Sequence, residues 1–80
     1  MTLENKIKRL VENNCHSKAY AEVCKAFGLE DLEKIFLEYD GKDFLTFEET
    51  QERYRKYTEM LDAIKNKFGI TIAKVVHSWL

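Results

Sequence analysis

Apolar residues recur along this chain at spacings of three and four, and the longest such run lies between residues 47 and 68. Its members, apolar or nearly so, are Phe47, Thr50, Tyr54, Tyr57, Leu61, Ile64 and Phe68. Gaps that alternate between three and four place side chains on one face of an α-helix. Thr46 followed by Glu49 is the capping-box pattern of a helix start, and Gly69 is typical of a left-handed helix stop. The pattern predicts a long helix of about 30 Å whose apolar face, the seam, is buried.

Three shorter helices are predicted before this long one. The first covers about residues 3–13 and has Thr2 as its N-cap. The second has Ser17 as its cap and ends at Gly28. The third follows at once and continues to Tyr39, so the second and third helices form an αα-hairpin with a very short turn.

The remaining segments are a loop and a final helix. Residues 40–43 form the clearest loop, after which Phe44 and Leu45 are expected to insert into the core. Residues 71–80 are rich in β-branched side chains, but their period is helical, with Thr71 as the predicted cap. The stripe expected to face inward consists of Ile72, Val75, Val76, Trp79 and Leu80.

A weak internal repeat links the two glycine corners. Phe27-Gly28-Leu29 matches Phe68-Gly69-Ile70, and the apolar residues on either side match in spacing. Two units do not establish a repeat architecture. The simpler interpretation, which we favour, is that any helix–glycine–helix corner has this pattern.

The composition supports an all-α fold. The chain has 80 residues, no proline and three glycines, so few breaks are available for the many turns of a β fold. An apolar fraction of 45% is typical of a folded globular protein. The sequence thus predicts one helical domain over residues 1–80, a compact five-helix bundle of αα-hairpins around the long fourth helix.

Cysteine use and hydropathy indicate a cytoplasmic protein. Cys15 and Cys24 fit a reducing compartment in which thiols are incidental. Charged residues interrupt the N-terminal segment, which therefore lacks a signal-peptide core. The longest weakly charged run, residues 68–80, is shorter than the roughly 20 residues of a membrane span. We expect a soluble intracellular chain without a membrane segment.

The charge balance is nearly neutral overall but uneven along the chain. The net charge is −1, whereas residues 19–49 alone carry nine acidic and three basic side chains. An acidic middle between basic ends could steer a partner. The simpler interpretation is that charges of both signs cover solvated helix faces.

One motif points to nucleic acid. Residues 67–71 followed by Val75 are similar to the turn and the buried recognition-helix position of a helix-turn-helix. A recognition helix reads base edges with Arg, Lys, Asn or Gln, whereas this one offers Lys74, His77 and Ser78. A helix-turn-helix DNA-binding transcriptional regulator is therefore the alternative function, and nucleic acid is the less favoured partner.

Metal sites are disfavoured by residue type and spacing. Residues 39–49 resemble a calcium loop, but Lys42 takes a ligand position and Asp43 the position that requires glycine. The other metal-binding side chains, which have no recognised finger spacing, are Cys15, His16, Cys24 and His77. We predict no metal and no cofactor.

Catalysis is not predicted either. Cys24 lies on an apolar stripe and belongs to the core, whereas Cys15 near a helix start has the setting of a somewhat acidified thiol. Its neighbour His16 is adjacent only in sequence. No nucleophile elbow, phosphate loop or pair of carboxylates stands out, so the sequence predicts a protein that is not an enzyme, and it leaves the reactivity of Cys15 open.

The remaining prediction is recognition of another protein. Aromatic residues make up 12% of the chain, more than one small core needs, and aromatics left between helices tend to anchor interfaces. The candidate partner-binding residues are Tyr39, Phe44, Tyr54 and Trp79. We predict a small protein-binding module, an adaptor, inhibitor or regulatory subunit, that binds stoichiometrically. A phage or mobile-element accessory factor fits this description, and we expect a monomer or a weak homodimer.

Overall fold

Five α-helices form the structure, a computed structural model that describes residues 2–80. They are α1 (Leu3–Glu12), α2 (His16–Phe27), α3 (Glu30–Asp40), α4 (Phe47–Phe68) and α5 (Ile70–Trp79). No strand occurs within the described residues, and the all-α prediction is confirmed. The longest dimension of the molecule is 33 Å. This is about the length of the 22-residue α4, which spans the whole molecule.

Local signals set most of the helix ends. The N–H of Asn5 donates to Thr2 Oγ1 over 3.2 Å at the start of α1. Both bonds of the predicted capping box are present at α4: Glu49 N–H donates to Thr46 Oγ1, and Thr46 N–H donates to the Glu49 carboxylate, each over 3.1 Å. Gly28 ends α2 in the left-handed conformation, with φ 74° and ψ 26°. These features appear as predicted because each depends on residues within one helical turn.

Ser17 does not cap α2, contrary to the sequence prediction. The helix begins two residues earlier than a Ser17 cap requires, at His16, and its N-cap residue Cys15 makes no side-chain capping bond. Ser17 lies in the first turn and is only 6% exposed. Its hydroxyl oxygen accepts a hydrogen bond of 3.0 Å from Nη1 of Arg53 on α4. Arg53, which is distant in the chain, therefore binds the Ser17 side chain that the local sequence pattern assigned to capping.

The two glycine corners have different geometries. Gly69 ends α4 and also precedes α5, with φ 100° and ψ 162°, which is not the left-handed helical conformation of Gly28. Helix α5 begins at Ile70, so Thr71 lies inside it and the predicted Thr71 cap is wrong. The matching sequences around the two glycines therefore do not produce matching turns.

The core lies where α1, α2 and α3 pack with the C-terminal half of α4 and one face of α5. Its buried members are Ile7, Ala19, Ala21, Val23, Cys24, Phe36, Met60, Ile64, Ala73 and Val76. Tyr20 joins the core to α4, since its ring lies 5.2 Å from that of Phe36 and 4.9 Å from that of Tyr57. Only Met60 and Ile64 of α4 are fully buried.

The predicted seam of α4 is buried only in part. Phe47 is 77% exposed and Tyr54 is 69% exposed, and Phe44, which was expected to insert into the core, is 79% exposed. The reason is the reach of α5, which runs back along α4. His77 contacts Tyr57, and α5 has only two further residues. Phe47 lies ten residues beyond Tyr57, or about 15 Å farther along α4, where α5 does not reach it.

The inward face of α5 also differs from the prediction. Ala73 and Val76 are buried, whereas Ile72 is 40% exposed and Val75 is 44% exposed. Trp79 and Leu80 do pack against the core, half-buried. The apolar residues of α5 do share one side of the helix, but its packing against α4 is centred on Ala73 and Val76. Ile72 and Val75 lie toward the edge of the apolar side and therefore stay partly exposed.

Candidate functional site

Three large aromatic side chains are exposed to solvent in and just before the N-terminal part of α4. They are Phe44, Phe47 and Tyr54, and we call them the aromatic surface. Phe47 and Tyr54 are seven residues apart and lie on the same side of the helix. Phe44 precedes Phe47 by three residues, which limits their Cα separation to about 11 Å. Contiguous exposed apolar groups of this kind are typical of interaction sites.

An open groove of about 510 Å³ runs beside Tyr54. Its walls are Thr50, Gln51, Tyr54 and Arg55. The groove follows one turn of α4 and is flanked by the Tyr54 ring, whose centroid lies 6.4 Å from that of Tyr57. It has the shape and lining to receive one side chain of a bound segment, with apolar contact from the ring and hydrogen bonds from the polar walls.

A second cleft, of about 300 Å³, lies on the other side of Phe44. Tyr39, Phe44 and Arg53 are among its lining residues. Arg53 is fixed there by its bond to Ser17, and its guanidinium lies 6.0 Å from the centre of the Tyr20 ring. The cleft therefore combines a hydrogen-bonded guanidinium group with an exposed aromatic ring.

Lys42 and Glu49 form an ion pair across the loop that ends at Thr46. The hydrogen bond between the two side chains raises the pKa of Lys42 and lowers the pKa of Glu49. Lys42 also lies over the Tyr39 ring, 5.8 Å from its centroid. The loop resembles a calcium loop in sequence, but the carboxylate that would be its bidentate ligand is engaged by a lysine and by the α4 cap.

The four residues selected from the sequence lie in different settings. Phe44 and Tyr54 belong to the aromatic surface, and Tyr39 is half-buried against the core while lining the same cleft as Phe44. Trp79 is half-buried against the core and lines neither the groove nor the cleft. Phe47 was assigned to the buried seam and was missed as a site residue. One feature of the sequence could have indicated that Phe47 is exposed. It occupies the first position of α4, at the end of the helix farthest from α5.

Two titratable side chains, Cys24 and Tyr57, belong to the core or pack against it. Burial, and then the charge of Glu33, raise the pKa of the Cys24 thiol to about 12, so it stays protonated at neutral pH. Its predicted place in the core is confirmed. Burial, and then Tyr20 and Tyr54, raise the pKa of Tyr57 to about 12. Among residues 2–80 no cluster of three His, Cys, Asp or Glu side chains could hold a metal ion.

A second exposed apolar region lies at the corner between α4 and α5. Its members are Phe68, Ile70, Ile72 and Val75. Phe68 is partly covered by Phe27, whose ring centroid lies 5.2 Å away. A groove of about 350 Å³ beside Ile70 is flanked by Lys65 and Lys74. All four residues are less exposed than those of the aromatic surface, and three of them are aliphatic and smaller.

No protein-family model, curated protein or solved structure matches this chain. In the part of the chain that the structure describes, none of the helices combines the length and the apolar character needed to cross a membrane. The functional argument therefore rests on the geometry and chemistry of the aromatic surface.

Proposed function

We propose that this protein is a small protein-binding module that acts by stoichiometric binding through the aromatic surface, without catalysis. The observation that carries the proposal is the exposure of Phe44, Phe47 and Tyr54, each more than two-thirds open to solvent. Aromatic side chains that become buried when a partner binds provide much of the binding energy of protein interfaces.

The two phenylalanines of the aromatic surface lie outside the core. The core is formed elsewhere, from ten buried residues centred on Phe36, Met60 and Ile64. Burying one phenylalanine against a partner would contribute about 1.5–3 kcal/mol, a gain that the isolated chain leaves unused. Two exposed phenylalanines, with a groove beside the exposed Tyr54, therefore favour a surface that is covered when a partner binds.

The size and chemistry of the chain support a role as an adaptor, inhibitor or regulatory subunit, including a phage or mobile-element accessory factor. An 80-residue bundle with one open recognition surface can block or bridge a larger protein by occupancy alone. Both cysteines are free thiols, which fits a reducing compartment such as the cytoplasm.

The alternative, a helix-turn-helix regulator, has less support. The helix that would enter the groove of DNA is α5, and it turns Ile72 and Val75 toward solvent. Lys74 can contact a phosphate, but no side chain of α5 offers the paired donor and acceptor that distinguish one base from another. Selection from a random duplex library is expected to recover no consensus site.

Affinity purification from the native host, with the partner identified by mass spectrometry, tests the proposal. The test variant combines Phe44→Ala with Phe47→Ala, and Val75→Ala is the control because it removes apolar surface from the α4–α5 corner. We expect wild type and Val75→Ala to recover one protein in equal molar amount, and the double variant to lose it while keeping its helical circular dichroism. Recovery of the same partner by the folded double variant would refute the proposal.

A further inference from the structure

The segment that carries Phe44 and Phe47 is rich in acidic side chains. Residues 38–49 contain five acidic residues and one basic residue. The single basic residue, Lys42, is paired with Glu49. The remaining four acidic residues are exposed and have no ion-pair partner within the described residues: they are Glu38, Asp40, Asp43 and Glu48.

Two of these carboxylates lie where they oppose the stability of the fold. Glu38 and Asp40 are in the last turn of α3, which contains no basic residue. The C-terminus of a helix carries a partial negative charge, so acidic groups there are unfavourable and basic groups favourable. Local stability therefore does not account for this charge, in contrast to Glu48, which lies in the favourable first turn of α4.

The neighbouring cations neutralise this charge only in part. Arg55 pairs with Glu52, and Lys56 pairs with Glu52 and Glu59. Arg53 donates to the neutral Ser17 hydroxyl and lines the cleft with Asp40 and Asp43, so its charge offsets one of theirs and leaves the segment acidic. Along the chain, Asp43 directly precedes Phe44 and Glu48 directly follows Phe47. Each phenylalanine of the aromatic surface is thus next in sequence to an unpaired carboxylate.

We propose that the aromatic surface binds a basic amphipathic protein segment, in which lysine or arginine residues flank large apolar side chains. This inference rests on the proposed function and specifies the class of its partner. The apolar side chains of the segment cover Phe44, Phe47 and the Tyr54 groove, while its cations pair with the surrounding carboxylates. Phosphate backbones and anionic lipid surfaces are repelled at this end of the molecule.

Two synthetic peptides of identical apolar pattern test the inference. Both carry leucine at helical spacing, and the polar positions are lysine in one and glutamate in the other. Binding of each to the full chain is measured by calorimetry at two salt concentrations, and the site is mapped by amide shifts in NMR spectra. We expect the lysine peptide to bind at least tenfold more tightly, to weaken with salt, and to shift residues 43–54.

A charge-matched pair of variants separates local recognition from the net charge of the protein. Asp43→Lys reverses one charge beside Phe44, and Glu12→Lys makes the same change in net charge at the exposed end of α1. We expect Asp43→Lys to reduce lysine-peptide affinity several-fold and Glu12→Lys to change it little. Equal effects of the two variants, or equal affinity of the two peptides, would overturn the inference.

Failure of this inference can be distinguished from failure of the proposed function. If neither peptide binds, but the native partner is recovered through Phe44 and Phe47, the charge argument is wrong and the binding function stands. If light scattering shows wild type to associate with itself, and Phe47→Ala to remain monomeric, the occupant is a second copy of the chain. That result, or binding of a DNA duplex at residues 43–54, would overturn the basic-segment proposal.

Discussion

The hydroxyl group of Tyr57 lies 2.7 Å from Nδ1 of His77 and hydrogen-bonds with it. This bond joins the middle of α4 to the last turn of α5, and the two rings lie 6.2 Å apart. The contact also marks a boundary. On its C-terminal side α4 packs into the core, and on its N-terminal side α4 extends beyond α5 and presents Phe47 and Tyr54 to solvent.

Tyr57→Phe is expected to reduce the free energy of unfolding by about 0.5–1.5 kcal/mol near neutral pH, the usual net value of one hydrogen bond. The same variant should also change how the free energy of unfolding depends on pH in the alkaline range. Because folding raises the pKa of Tyr57 from its ordinary value of 10.0 to about 12, its contribution is present below pH 10.0 and is lost as the pH rises through about 12. Urea unfolding across this range measures the loss.

The alkaline loss of stability should be smaller in Tyr57→Phe than in wild type but not absent. The pKa of Cys24, raised from 9.0 to about 12, contributes in the same direction. An identical pH dependence in Tyr57→Phe and wild type would show that the Tyr57 hydroxyl is as accessible in the folded protein as in the unfolded chain.

Ile64→Ala and Phe47→Ala form a pair on one helix that separates core from surface. Ile64 is fully buried, so its truncation should cost about 2–5 kcal/mol through lost burial and a cavity. Phe47→Ala removes a larger side chain but one that contacts solvent, and should change stability by no more than about 0.5 kcal/mol. Thermal and urea unfolding of both variants decide the matter. A large loss in Phe47→Ala would place its ring in the core.

Thr46→Ala is expected to destabilise the protein by about 1 kcal/mol, because it removes the side-chain acceptor for the N–H of Glu49 at the start of α4. Thr58→Ala is the matched control. Thr58 lies exposed within the same helix, and alanine has the higher helix propensity, so this change should be neutral or slightly stabilising. Urea unfolding measures the stability of both variants. A loss of stability in Thr46→Ala but not in Thr58→Ala would identify the cap as the cause.

Gly28→Ala should cost about 1 kcal/mol, whereas Gly41→Ala should stabilise by about 0.4–1 kcal/mol. A Cβ atom at Gly28 would meet no atom within 4 Å, so the cost arises from its φ of 74° alone. Gly41 has an ordinary φ of −76°, and a Cβ there would contact the Glu38 carbonyl oxygen at 3.6 Å. Thermal melting of the two variants is the measurement, and equal shifts would contradict the explanation.

The sequence by itself determined the features that depend on near neighbours. The helical period, the Thr2 and Thr46 caps and the Gly28 stop were predicted because each requires only residues within about one turn. The five-helix order follows from the same signals. Of the aromatic surface, Phe44 and Tyr54 could be selected in advance, because the chain contains more aromatic residues than a small core can bury.

Only the tertiary structure decided which apolar residues are covered. Whether Phe47 is buried depends on how far α5 extends along α4, a distance set by the length of α5 and the angle at Gly69. The role of Ser17 depends on Arg53, which is 36 residues away in the chain. The rotation that buries Ala73 and exposes Val75 depends on packing against α4, because both residues lie on the apolar side of α5 and the sequence does not fix which part of that side meets α4. A periodic pattern shows which residues share a helix face, but burial requires a second element opposite that face, and only the folded chain supplies it.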